Sequence, residues 1–262
     1  MRKNLFLILA IAFATTMSAQ FYAGLGVGYG LGASKRVLGH EVNGTTTTNL
    51  YGSFGQGLNI QPKLGYMFNE NMGFELGVNY FMGSTQTLGK TTTSLTEGKS
   101  SGLILAPQFV LKTESGIYTR VGIFLPVMGK TIITSTDSDY MGSGAKMDME
   151  MERQGSFSLG LIGAIGYSFA ISEQMNFFVE LQYSAMSMKS GTSKYTKLEV
   201  GGQDQLANMD TFDKETTYVD ELTASSNTSS NPNYNKDAAK EALKETAPFS
   251  AIGINVGITF SF

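Results

Sequence analysis

Between Phe21 and Phe262 apolar side chains return at every second position in eight separate stretches. The clearest is the last. Ile252, Ile254, Val256, Ile258, Phe260 and Phe262 alternate with Gly253, Asn255, Gly257, Thr259 and Ser261. A period of two places one set on each face of a β-strand. The first stretch has the same form: Phe21, Ala23, Leu25, Val27, Tyr29 and Leu31 alternate with glycines from Gly24 to Gly32. Further strands are predicted around Ile60–Phe68, Phe74–Met82, Leu103–Leu111, Ile117–Val127, Phe157–Phe169 and Phe177–Tyr183. Pro62 cannot donate to a ladder, so a bulge or weakened pairing is predicted there.

Three connections are short and polar: residues 69–72, 113–116 and 172–175. They alternate with long ones, about 34–57, 84–101, 131–154 and 190–247. Eight strands joined in this way predict an all-β fold: an eight-stranded antiparallel up-and-down transmembrane β-barrel with long extracellular loops. Each strand can supply the roughly 9–11 residues that cross a bilayer obliquely. The apolar set faces lipid, and the small and polar set faces the lumen. Aromatics gather near one predicted rim, among them Tyr66, Phe68, Phe74, Phe109, Tyr167, Phe169, Phe177 and Phe260.

Inside the long connections the expectations are finer. Met147, Met149 and Met151 share the outward parity of Phe157 and Leu159, so "KMDMEME" is predicted to continue the sixth strand beyond the membrane. A methionine metal site is the alternative, but no convergent second element supports it. In 190–247 a hairpin pairing 194–200 with 216–222 is expected above the membrane. Residues 225–233 (SSNTSSNPN) are expected to be mobile, and 236–245 to form a short surface helix ended by Pro248.

Composition adds location. Arg2 and Lys3 precede the apolar run 5–14, and Met17-Ser18-Ala19 is a small-residue cleavage site. Residues 1–19 are therefore predicted to be a signal peptide, leaving 20–262 as the barrel. No later run approaches the ~18 apolar residues of a helical span. Cys is absent, which excludes disulfides, thiolate metal sites and a lipid-modified cysteine. Net charge is −3, which gives no basis for nucleic-acid binding. The GxGxG spacing of the first strand, with no helix after it, is not a phosphate loop.

Together these features resemble the small outer-membrane β-barrel proteins, the porin family with an OmpA-like transmembrane domain. The resemblance spans the whole mature chain. Phe262, with Phe260 and Ile258 before it, resembles the assembly signal that ends such barrels. It implies residence in the cell outer membrane, contact with outer-membrane lipid and lipopolysaccharide, and handling by the outer-membrane assembly machinery. A partner outside the cell, met through the loops, is a further expectation. The cell-wall-binding domain of full-length OmpA proteins is not expected after Phe262.

The family includes structural barrels, adhesins, secretion accessories and a few lipid-modifying enzymes. Enzymes of that kind place a His beside Ser and an acid at the rim. Here the one His, His40, falls in the first loop beside Glu41, with no assignable nucleophile. No catalytic, metal or cofactor site is predicted. Lys63, Glu75, Arg120 and Glu180 share inward parity at similar depth, and a compensated lumen network is the economical reading. Gln61, Gln108, Gln182, Asn79 and Asn255 can extend it. The expected function is a non-enzymatic envelope structural or surface-interaction barrel with a side-chain-filled lumen. The alternatives are a small-solute channel or secretion accessory, and, behind these, a lipid-modifying enzyme.

Overall fold

The structure, a computed structural model, describes residues 20–262. The signal-peptide reading of residues 1–19 lies outside the described residues. Eight strands form the barrel: β1 (Gln20–Gly32), β2 (Gly57–Met67), β3 (Met72–Gly83), β4 (Ser94–Lys112), β5 (Ile117–Asp137), β6 (Gly160–Ala170), β7 (Met175–Ala185) and β8 (Ala251–Ser261). Each pairs antiparallel with its neighbours in sequence, and β8 pairs with β1 from Tyr22↔Ser261 to Gly32↔Ala251. The sheet therefore closes. Closure satisfies strand backbone where no water can, which is why only helices and closed barrels span bilayers.

Burial runs opposite to that of a soluble domain. Leu64, Val121, Ile165 and Ile254 are all more than half exposed on the outer face, while Lys63, Glu75, Arg120 and Glu180 are at most 5% exposed. That inversion places the apolar band against lipid. Aromatic pairs line the short-turn rim. Phe21 and Tyr66 lie 4.8 Å apart, Tyr167 and Phe169 4.6 Å, and Phe260 and Phe262 5.2 Å.

Side chains set the short turns. Asn69 Oδ1 accepts from the Asn71 and Met72 amides, an Asx turn between β2 and β3. Gly116, at φ +90°, takes the left-handed position of the β4–β5 turn. Ser172 Oγ accepts from the Met175 amide before β7.

Proline marks the irregularities. The β2–β3 ladder skips Gln61 and Pro62 but resumes in the same register, so Pro62 weakens pairing without a bulge. The β4–β5 ladder shifts by one between Leu103 and Ile104, beside Pro126. The bulge changes inward parity on β5 from Arg120 and Phe124 to Ile133 and Ser135.

At the long-connection end the expected loops are mostly sheet. β4 and β5 run on past the apolar band, and strand Gln86–Lys90 pairs with the extension of β4. The hairpin Val37–Asn43/Thr46–Tyr51 adds to Gln86–Lys90. Strand Met147–Gly155 lies between β5 and strand Ser187–Val200. It is separate from β6, broken at residues 156–159, rather than one continuous strand.

Two expectations in 190–247 are corrected. The hairpin pairing is limited to Thr192↔Thr217 through Lys194↔Glu215; further along the same edge Glu199 and Val200 pair with Asp204 and Gln203 instead. Residues 236–245 form no helix; Lys240–Leu243 is a strand parallel to Glu215–Val219. The segment 225–233 is folded around Asn227, whose Nδ2 donates to the Asn235 and Ala239 carbonyls at 2.9 and 3.0 Å.

Candidate functional site: the barrel lumen

The lumen holds two stacked layers. The layer nearer the short turns is polar and centred on Arg120 of β5. Its guanidinium donates from Nη1 to Glu75 Oε1 on β3 and from Nη2 to Glu180 Oε1 on β7. Both carboxylates have a second phenolic partner. Tyr22 donates to Glu75 Oε2 at 2.8 Å and Tyr118 to Glu180 Oε2 at 2.7 Å. Asn255 Nδ2 lies 3.0 Å from both Glu180 Oε1 and Gln182 Oε1, and Gln61 donates to Gln182 at 3.2 Å.

Lys63 is bound more loosely. Its Nζ is 3.8 Å from Glu75 Oε2 and 3.9 Å from the Phe178 ring centroid, a cation–π contact. The register places Glu75 opposite Gly65, so this pair is diagonal. The structure thus brings Lys63, Glu75, Arg120 and Glu180 into one cluster of two cations and two anions, with Arg120 as its hub.

Glycines make the layer possible. Tyr22 is paired with Gly65, Tyr118 with Gly166 and Asn255 with Gly28. A Cβ added at Gly65 would overlap the Tyr22 ring, and one at Gly166 would fall 2.6 Å from that of Tyr118. Each large side chain lies flat over the glycine of the adjacent strand. At these three glycines the space is used by the ladder neighbour, and at Gly26 by Phe178 from β7, two strands away.

The second layer, toward the long connections, is apolar. Phe81, Ile104, Ala106, Phe124 and Ile162 point inward from the barrel strands and pack with Phe54, Met186 and Phe249. Phe54 and Phe249 come from outside the strands. Segments 52–56 and 248–250 tie them in place: the Phe54 amide donates to the Pro248 carbonyl at 3.0 Å, Ser53 Oγ to the Ser250 carbonyl at 2.7 Å, and the Phe249 amide to the Met186 carbonyl at 3.0 Å. Phe81 and Phe249 meet edge to face at 5.3 Å.

Below these layers a vestibule of about 270 Å³ opens at the short-turn end and reaches Lys63, Glu75 and Arg120. Between the layers lies a cavity of about 30 Å³ beside Asn79, room for a water molecule. Asn79 Oδ1, Gln108 Oε1 and Arg120 Nε have no protein partner.

Sequence reasoning missed Tyr22, Phe54 and Phe249. Tyr22 has inward parity on β1, so its role was readable. Phe54, an aromatic inside "GSFGQG", and Phe249 carry no periodic signal, because they lie outside the strands. Phe262 ends the closing strand region, its amide donating to the Phe21 carbonyl at 3.0 Å, with Phe260 and Ile258 on the lipid face before it. His40 is exposed on Val37–Asn43, and the neighbouring Glu41 is paired with Lys90 at 2.8 Å. Among the described residues no cluster of His, Cys, Asp and Glu could hold a metal ion.

No curated protein sequence matches the chain. Among solved structures it is similar to Neisserial surface protein A, at 12% identity over 92% of this chain and 97% of that one, with a TM-score of 0.38. It is similar to Acinetobacter baumannii CarO at 13% identity, covering 91% and 97%, with a TM-score of 0.35. The outer membrane protein AlkL, solved in lipid bilayers, gives 11% identity, 95% and 92% coverage and a TM-score of 0.36. The family model of the OmpA-like transmembrane domain matches residues 16–201, more than half of the chain. With a closed eight-stranded barrel, an apolar outer band and this family match, the chain belongs to the small outer-membrane barrels of the OmpA-like transmembrane domain family.

Proposed function

We propose that this is a non-conducting, non-enzymatic barrel of the outer membrane that holds an ordered sheet outside the cell as a platform for surface contacts. The observation that carries this reading is the double closure of the lumen. A charge-balanced layer at Arg120 is capped by the Phe54–Phe81–Phe249 layer. An eight-stranded barrel is only wide enough for its own side chains to fill. The vestibule at the short-turn end is therefore blind, which counts against the small-solute channel. The exposure of His40, and the engagement of Glu41 by Lys90, count against a lipid-modifying site at the rim.

On this reading the platform is the sheet from Thr46–Tyr51 round to Lys240–Leu243, whose outermost strands leave unpaired edges. The test is photo-crosslinking on intact cells from the exposed Tyr51, Tyr234 and Leu243, in parallel with solute uptake and lipid A mass profiles. The reading expects adducts from these positions, with uptake and lipid A unchanged when the gene is deleted. Altered lipid A would replace it with the enzyme, and lost uptake with the channel.

A further inference from the structure

The barrel wall has one long opening among the described residues. The ladder between β5 and β6 stops at Phe124↔Gly160 and resumes, in the same register, at Thr131↔Arg153. Residues 125–130 on one lip and 154–159 on the other have no strand pairing across this gap. The opposite edge of β5 stays paired to β4 across the gap except at the Val127 bulge, so the gap is local. On the far side of 154–159 the Ser156 amide donates to the Lys189 carbonyl at 2.7 Å, which holds that lip to Ser187–Val200.

Unpaired backbone at membrane depth is tolerated only where it is buried in protein or lines a water-filled cavity. Here it borders a cavity of about 100 Å³. Pro126, Gly129, Gln154 and Gly155 form its lips, and Phe81, Met186, Met188, Ala247 and Phe249 its floor and inner wall. Glycine and proline on the lips leave the opening unobstructed. Outside it, Met128, Phe157 and Leu159 are 70%, 78% and 57% exposed, so the apolar belt runs up to the opening. The surface lining it is mostly apolar, so it accepts hydrocarbon, while Lys130, Gln154 and Lys189 among the lining keep water at the lips.

Above the opening the rim carries three cations and two anions, with Asp220 as a further charge near Lys189. Lys130 and Arg153 are paired with Glu152 and Glu245, at 2.7 and 3.2 Å, but Lys189 has no ion pair among the described residues. The floor is the apolar plug, so the cavity leads no further into the lumen.

We propose that this opening admits, sideways from the membrane, the acyl chain of an anionic amphiphile. The chain end rests against Phe249 and Met186, and the acidic head group lies at Lys189 and the Lys130–Arg153 rim. A free fatty acid and an anionic membrane lipid share this chemistry.

The chain contains no Trp, so Phe249→Trp places a single fluorophore at the cavity wall, and Ile254→Trp places one on the outer belt of β8. In one arm, brominated fatty acid is added to the folded barrel in phosphatidylcholine vesicles; in the other, the vesicles contain brominated phosphatidylglycerol and no fatty acid. Saturable quenching at position 249 is expected in at least one arm, and which arm responds identifies the source. Ala247→Phe, which fills the cavity, should weaken that quenching at least tenfold and leave position 254 unchanged. Lys189→Gln with Lys130→Gln should bring the brominated acid and the matching alcohol within twofold of each other. Quenching at 249 that fails to saturate in both arms, or that ignores Ala247→Phe, overturns the proposal; an acid and alcohol already equal in the unaltered rim overturns its anionic part. Phe54→Trp gives the same reading should Phe249→Trp fail to fold.

Discussion

At the scale of single residues, Arg120 carries the heaviest consequence. Two carboxylates depend on it, and both are buried. Arg120→Met leaves Glu75 and Glu180 facing each other with only Lys63, two phenols and the Asn255 amide in support. Breaking a buried pair from one side costs about 3–5 kcal/mol, so that loss is expected in urea unfolding of the refolded barrel. Lys63→Met should cost clearly less, because its ion contact is long and diagonal. Replacing all four charges with apolar residues should cost less than Arg120→Met alone. Equal losses for Arg120→Met and Lys63→Met would show that Arg120 is not the hub. The glycine seats give a second test. Gly166→Ala pushes against the Tyr118 ring, and overpacking of this kind costs about 1–3 kcal/mol; the double change with Tyr118→Phe should cost nearly as much, since the ring remains. In a Tyr118→Ala background Gly166→Ala should cost clearly less than in the unaltered protein, the remainder coming from the Val179 carbonyl 2.7 Å from the added Cβ. The parity of Lys63, Glu75, Arg120 and Glu180 was legible in the sequence because alternation fixes a face. Which carboxylate met which cation was not, because that depends on register across several strands.

At the scale of elements, the barrel strands were legible almost to their ends. A period of two sustained over a strand has one reading once turn residues bound it, as at Asn69 and Gly116. The elements beyond the apolar band were not. Residues 236–245 contain strong helix formers, yet Lys240–Leu243 pairs with Glu215–Val219. Tertiary pairing overrides propensity where the apolar stripe is too narrow to hold a helix against anything. The break at 156–159 was hidden for a different reason. Met147, Met149 and Met151 keep the parity of Phe157, and parity does not register a gap in pairing. β8 supplies the prediction at this scale. It joins β1 and β7, so barrel closure waits on it. Deleting Phe262 or replacing it with Asp should reduce the heat-modifiable folded form and slow its appearance, with little change in the stability of barrels that do assemble. Unchanged insertion kinetics would show that the terminal aromatic is not read.

At the scale of the whole molecule, two halves of different character share one sheet. The lower half is a membrane barrel, legible from eight alternating stretches and the rhythm of short and long connections. The upper half is an extended sheet whose strands read as polar connections, because its buried inner face is filled largely by small polar residues such as Ser100, Ser135 and Ser193 rather than by an apolar stripe. Topology follows. Protease added to intact cells should cut in the exposed part of 220–237 and spare 69–72, 113–116 and 172–175; cuts at the short turns would invert the orientation. The plug is what joins the two halves, since Phe54 and Phe249 descend from the upper connections onto inward strand residues. Its role and that of the Arg120 cluster meet in one claim, that the lumen is closed. Recording of the purified barrel in planar bilayers tests it most directly. The account predicts no steady conductance, before or after Phe54→Ala, because the charge layer still fills the barrel below the plug. Steady ion-selective channels in the unaltered protein, abolished by Glu180→Leu without loss of stability, would contradict it.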